Sequence, residues 1–196
     1  DKFNTKIISQ FKQIEPDIKL KLNDVSATLD LLNLKINVKT IGTDLIYRNK
    51  IIEIEKIKSK ISIKSFFKDQ FSLSEISIST KSLAINDLIT FIRLLNDDPK
   101  LFIAEKFIKK GYVVIDLKLE FDDKSNIIKN YRFNGIVKNG NISLFKKYDL
   151  NKIDFNFEID KKILKFNNIR FILNNNKVFI PELNASKQEN KYLILG

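Results

Sequence analysis

The 196-residue chain has no cysteine, no histidine and no methionine. Without Cys there is neither a disulfide nor a thiol nucleophile, and the redox compartment stays open. Without His, the usual general base and the commonest metal ligand are both missing. Zinc, haem and Cys-His chemistry are disfavoured with them. Methionine is missing even at position 1, where Asp1 stands, and Gly196 follows directly on the apolar run Tyr192–Leu195. The chain therefore reads as a piece of a longer protein, which leaves a signal peptide or membrane anchor upstream open. No apolar run within it approaches the roughly 20 residues of a membrane-spanning helix. There is no Gly-rich phosphate loop and no GxSxG. The acidic pairs Asp97-Asp98 and Asp122-Asp123 adjoin turn residues and read as turn formers and helix caps rather than as catalytic carboxylate pairs. The expectation is a non-enzymatic chain with no catalytic residues, no cofactor and no metal site.

What is present is apolar and basic. The apolar fraction is 43% and the net charge +11. The first supports a real core. The second would attract nucleic acid or anionic lipid. Nearly all of the basic residues are Lys, with Arg only at 48, 93, 132 and 170, and Ile, Asn and Lys crowd the sequence while Ala and Gly are scarce. An AT-rich genome produces the same bias, and Lys also blunts exposed strand edges.

The dominant pattern has a period of two. Ile18, Leu20 and Leu22 alternate with polar residues, as do Leu34, Ile36, Val38 and Thr40. Further on, Ile52 and Ile54 keep one parity while Ile57, Ile61 and Ile63 keep the other, which predicts a bulge or turn near Lys56. Two or three short strands are expected between Phe71 and Ile85. The period then becomes helical, with Leu88, Ile89, Ile92 and Leu95 on one stripe. Asn86 or Asp87 can cap its start and Asp97-Asp98-Pro99 breaks it. Leu101, Phe102, Phe107 and Ile108 suggest a second helix ending at Gly111. A helical hairpin over 87–110 is thus expected inside a β sequence.

Beyond Gly111 the strands lengthen. Val113, Ile115, Leu117, Leu119 and Phe121 fall on every second residue, against Val114, Asp116, Lys118 and Glu120. After the turn at Asp122–Asn126, Tyr131, Phe133, Gly135 and Val137 resume the alternation. Asn139-Gly140 predicts a hairpin turn, with a short strand over 142–145 after it. Ile153, Phe155, Phe157 and Ile159 alternate next, then Leu164 and Phe166, then Ile169, Phe171 and Leu173 after a parity slip at Asn167-Asn168. The Asn-rich 174–177 turns the chain again. Pro181 favours an edge or a bulge in the strand that follows. Strands joined by short turns pair antiparallel. The fold class expected is mostly β, with long antiparallel strands in a curved groove or in an open sandwich or barrel-like sheet, plus the helical hairpin.

Two readings fit the apolar face. In a closed sandwich or barrel it packs on another such face, each buried Leu, Ile or Phe contributing about 1.5 to 3 kcal/mol. In an open trough it holds acyl chains, while charged residues face water. The Phe-rich strands could also stack bases, but Ile, Leu and Val share their face, which disfavours nucleic acid.

The form G-x-V-x-x-x-L-x-x-x-x-D-x-x-x-x-I…Y-x-F-x-G-x-V-x-N-G-x-I-x-L is carried here by Gly111, Val113, Leu117, Asp122, Ile127, Tyr131, Phe133, Gly135, Val137, Asn139, Gly140, Ile142 and Leu144. With the strand-rich segment and amphipathic stretch before it, it resembles the AsmA-like family of Gram-negative bacteria, the group that includes TamB and YhdP. The resemblance implies a periplasm-facing protein, anchored in the inner membrane by parts outside this chain. It also implies a long β groove that carries phospholipids toward the outer membrane, of which this chain would be one segment. No catalytic residues carry over. The expected floor is Val113, Ile115, Leu117, Leu119, Phe121, Phe133, Val137, Ile153, Phe155, Phe157 and Ile159, with phospholipid acyl chains as partners. The alternative is a structural or assembly protein of the envelope that recruits other envelope proteins at exposed strand edges.

Overall fold

A computed structural model describes residues 18–47, 50–63, 73–95, 99–122, 128–144, 148–188 and 191–195. In chain order the elements are β1 (Ile18–Lys21), β2 (Asp24–Asp30), β3 (Lys35–Tyr47), β4 (Lys50–Ser62), β5 (Leu73–Thr80), β6 (Leu83–Ala84), α1 (Ile85–Leu95), α2 (Pro99–Phe107), β7 (Ile108–Phe121), β8 (Ile128–Leu144), β9 (Tyr148–Asp160), β10 (Ile163–Leu173), β11 (Asn176–Gln188) and β12 (Lys191–Leu195). The hydrogen-bonded order is β1-β3-β4-β5-β7-β8-β9-β10-β11-β12, with β2 beside β3 and β6 beside β7. Among the described residues no pairing joins β1 to β12, so the sheet is open. The fold is mostly β and antiparallel, interrupted by a pair of helices, as the alternation and its change of period predict.

The chain divides into two compact units. The first comprises Asp1–Lys81 and Asp116–Tyr131, the second Ser82–Ile115 and Arg132–Gly196.

In the first unit the register aligns apolar residues in cross-strand rows. Val25 faces Thr40, Thr40 faces Ile57, Ile57 faces Ile78 and Ile78 faces Leu117. The next row runs Ala27, Val38, Ser59, Ile76 and Leu119. Val38, Ile54 and Ile61 are buried. The expected parity change in β4 is a bulge. Pairing with β5 shifts between Ile54 and Lys56 while the strand continues. On β3 the matching step is Ile41-Gly42, with Gly42 at φ 67. Both strands therefore reverse their inward parity at the same level, and their mutual register is unbroken.

The second unit repeats this device. β8 steps between Val137 and Gly140, β9 between Leu150 and Ile153, and β10 between Phe166 and Ile169. Asn139, Lys152 and Asn168 take left-handed φ values of 52°, 52° and 54° at these steps. Such bulges bend a strand and raise its twist without ending it. Asn139-Gly140 is therefore not the predicted hairpin. β8 runs through it for 17 residues, and no separate strand begins at Ile142. The parity slip at Asn167-Asn168 is a bulge, with pairing to β9 shifting between Asn167 and Arg170. Pro181 lies between the paired Ile180 and Glu182, opposite the step at Asn168, and a bulge tolerates its missing N–H. The turn at Asn174-Asn175 forms as expected, with both residues at positive φ, the geometry of a two-residue hairpin loop.

The helical hairpin starts with β6 and α1. Ile89 and Phe91 are buried, whereas Ile92, expected on the inner stripe, faces outward. Pro99 opens α2, where a missing N–H costs nothing. α2 stops at Phe107, and Gly111 belongs to β7 rather than to a helix end. A Cβ on Gly111 would lie 2.8 Å from Ile85 Cδ1 and 3.0 Å from Gly140 Cα, so two backbones and α1 meet there. Thr90 and Arg93 of α1 both bond the Glu105 carboxylate of α2, and Arg93 lies over the Phe102 ring. The predicted turn at Asp122–Asn126 falls almost wholly outside the described residues.

Candidate functional site

The expected floor residues divide between the two units. In the second unit the face is built by β7, β8, β9 and β10. Phe133 pairs with Ile159, and Ile159 with Leu164. Gly135 pairs with Phe157, and Phe157 with Phe166. Val137 pairs with Phe155. Three of the rings form one cluster. Phe155 and Phe166 meet edge to face at 5.8 Å, and Phe155 and Phe157 are tilted at 6.2 Å. Gly135 is small for a reason. A Cβ there would lie 2.4 Å from the Phe157 ring and 2.5 Å from the Val114 carbonyl oxygen, so the ring lies across the glycine backbone.

Burial grades along this face. Val113, Val137 and Ile153 are buried, at the end where Leu83 pairs with Val113 and Gly140 pairs with Ile153. Phe133, Phe155, Phe157, Ile159 and Phe166 are only half-buried. Phe166 lies outside the expected floor, although its ring packs on Phe155. Its signal was the short Leu164/Phe166 alternation, cut off by the step at Asn168.

The opposite face carries the charges that the alternation predicts, but Tyr112, Val114, Ile136 and Phe179 are exposed on it as well. Arg132 pairs with Glu158 at 3.5 Å and Lys165 with Glu182 at 3.0 Å. Asp154 accepts a 2.8 Å bond from the Asn139 backbone N–H and lies 3.4 Å from Lys138 Nζ. A depression of about 270 Å3 there is lined by Lys138, Asp154, Phe155, Asn156, Asn168 and Arg170. Lys165 and Asn184 together hold the Glu182 carboxyl below its ordinary range.

In the first unit Leu117 and Leu119 lie in the apolar rows described above, and Phe121 follows on the same parity, half-buried. The other face of β7 carries a charge cluster. Lys118 lies 2.9 Å from Glu120 and 3.3 Å from Glu75, which also meets Lys60 at 3.1 Å. The Glu120 bond pushes the Lys118 ammonium up, and the same bond holds Glu120 down. These groups are half covered by one another, so the two faces of β7 contrast less beyond Asp116 than before it.

Among the described residues no group of three His, Cys, Asp or Glu side chains could hold a metal ion. Among the same residues no helix is long and apolar enough to cross a membrane. What the arrangement can do is offer apolar surface. No protein-family model, no curated protein and no solved structure matches the chain.

Proposed function

We propose that the chain holds phospholipid acyl chains on the apolar face of its sheet, as one segment of an envelope protein that passes phospholipids between the inner and outer membranes. The observation that carries this is the half-burial of Phe133, Phe155, Phe157, Ile159 and Phe166 on one contiguous face. In a two-sheet sandwich such residues interdigitate with a facing sheet and are buried. Here all twelve described strands belong to a single sheet. Each CH2 laid on such a face gains about 0.8 kcal/mol. A face without a deep pocket holds a chain without trapping it, so lipid can slide, and no catalytic residue or cofactor is required. Leu117, Leu119 and Phe121 would serve the same purpose in the first unit. Val113, Ile115, Val137 and Ile153 would floor the end beside β6. The periplasmic setting and the inner-membrane anchor rest on the AsmA-like resemblance of Gly111–Leu144.

The test is native mass spectrometry of the gently purified chain with lipid extraction, repeated on Leu117→Asp and Phe133→Asp. Co-purified phospholipid, lost in variants that keep their β circular dichroism, supports the proposal. A stable lipid-free chain overturns it.

One observation favours a second reading, assembly through strand edges. Leu193, Ile194 and Leu195 are exposed on β12, which among the described residues pairs with β11 alone. An apolar edge strand is a template for a partner strand. Cross-linking from β12 to another envelope protein, in a lipid-free chain, would favour it.

A further inference from the structure

The turn between β2 and β3 carries a cluster of exposed leucines. Leu29, Leu31, Leu32 and Leu34 are 59%, 69%, 97% and 45% exposed, within six residues. Exposed leucines scattered singly need no explanation, but a cluster on one turn does. This turn is held firmly. Asp30 Oδ1 accepts the Asn33 backbone N–H at 3.1 Å, and Asp30 Oδ2 accepts the Asn33 side-chain amide at 2.9 Å. Leu34 sits at φ 49, a left-handed conformation unusual for leucine. Its carbonyl accepts the Ile63 N–H at 2.9 Å, which ties the turn to the end of β4.

We infer that this leucine turn is a membrane-docking tip, whose partner is the surface of a phospholipid bilayer. Four features select that partner. The polar side chains of the tip satisfy each other, since Asp30 is bonded to Asn33 and lies opposite Lys35 across the strand pair. Entry into a less polar medium therefore strands few donors or acceptors. The leucines protrude, and a bilayer accepts a protruding tip without needing a matching cavity. The tip also continues the apolar face of its own unit, because Leu29 pairs with Ile36 and Ile36 with Ile61. The basic chain, at +11, suits an anionic surface. The choice of lipid as partner rests in part on the proposed acyl-chain role, since that role gives the continuity its purpose.

The chain contains no tryptophan, so a single Leu32→Trp reports on this tip alone. With vesicles of phosphatidylcholine and phosphatidylglycerol at high salt, where charge attraction is screened, its emission is expected to shift to the blue and to be quenched by brominated lipid. Leu31→Ser/Leu32→Ser, which leaves the Asp30–Asn33 bonds in place, is expected to lower vesicle-bound protein by about tenfold or more. A water-like emission on vesicles, or undiminished flotation of the double variant, overturns the inference. So does a blue shift that grows with protein concentration without vesicles, which would mean self-association. Flotation and lipid co-purification are read separately. A tip that fails to dock on a chain that still carries lipid overturns docking alone. A docking tip on a lipid-free chain overturns acyl-chain holding alone.

Discussion

The hydroxyl oxygens of Thr40 and Thr43 lie 3.0 Å apart, both side chains buried, with the exposed Ile41 and left-handed Gly42 between them. Two inward residues three apart on one strand are impossible in a regular β-strand, where inward positions differ by two. The pair marks the level at which β3 changes parity, and Ile54 and Ile57 mark it on β4. A hydroxyl at each side of the step lets two buried polar groups satisfy each other.

Thr43→Val leaves the Thr40 hydroxyl buried without that partner and should cost about 1 to 3 kcal/mol. Thr40→Val/Thr43→Val removes both and should recover much of the loss. A double-mutant cycle in urea measures this. Additive costs would mean that the hydroxyls do not depend on one another.

Gly42→Ala places a Cβ 3.1 Å from the Asn23 amide nitrogen at φ 67. The left-handed conformation alone should cost about 1 to 2 kcal/mol. Gly42→Asn, a residue that tolerates this region, should cost less. Thermal melts of the two variants give the ranking, and equal melting temperatures would remove backbone strain from the account of the step.

Gly135→Ala is expected to be worse than either. Its Cβ would meet both the Phe157 ring and the Val114 backbone oxygen inside ordinary contact distance. A ring can tilt, but a strand carbonyl cannot retreat without breaking its ladder. The cost should be about 3 kcal/mol. Gly135→Ala/Phe157→Leu should recover only the part due to the ring, and full recovery in a urea titration would show that the carbonyl contact does not matter.

The sequence made the strands legible because a half-covered sheet enforces strict alternation, and it showed two of the steps directly. Ile54 and Ile57 break parity in apolar residues, as do Phe166 and Ile169. From sequence alone the step at Asn139-Gly140 reads as a hairpin, because Asn-Gly suits left-handed φ wherever it occurs, in a turn or in a bulge. What separates the two is the partner strand. Gly140 pairs with Ile153 and Asn139 is held by Asp154, both on β9, and local sequence carries no record of that. Phe91 and Ile92 are both apolar and adjacent, so period alone cannot choose between them, and it is Phe91 that is buried. On the candidate face the alternation around Phe166 is too short to single it out. The leucine turn is not legible either, because a leucine run in a sequence does not disclose whether it points inward.

Asp160 makes the β9–β10 turn sensitive to acid. Its Oδ1 accepts the backbone N–H of Lys162 at 2.8 Å and of Ile163 at 2.9 Å. These two bonds hold its carboxyl below the ordinary 3.8. A folded-state value below the unfolded one means that the ionised form favours the fold. The contribution is complete above the ordinary carboxylate range and is lost as pH falls through the lowered folded value. Asp160→Ala should therefore lower the melting temperature at neutral pH, while the gap between variant and parent closes as the solution is acidified past that value. Asp160→Asn, which can still accept a bond but carries no charge, should fall between them at neutral pH and show no such closing of its own. Melting curves of the three chains from neutral to strongly acidic pH decide the matter. A gap that stays constant with pH would show that the side chain acts through shape alone, and that its charge does nothing for the turn.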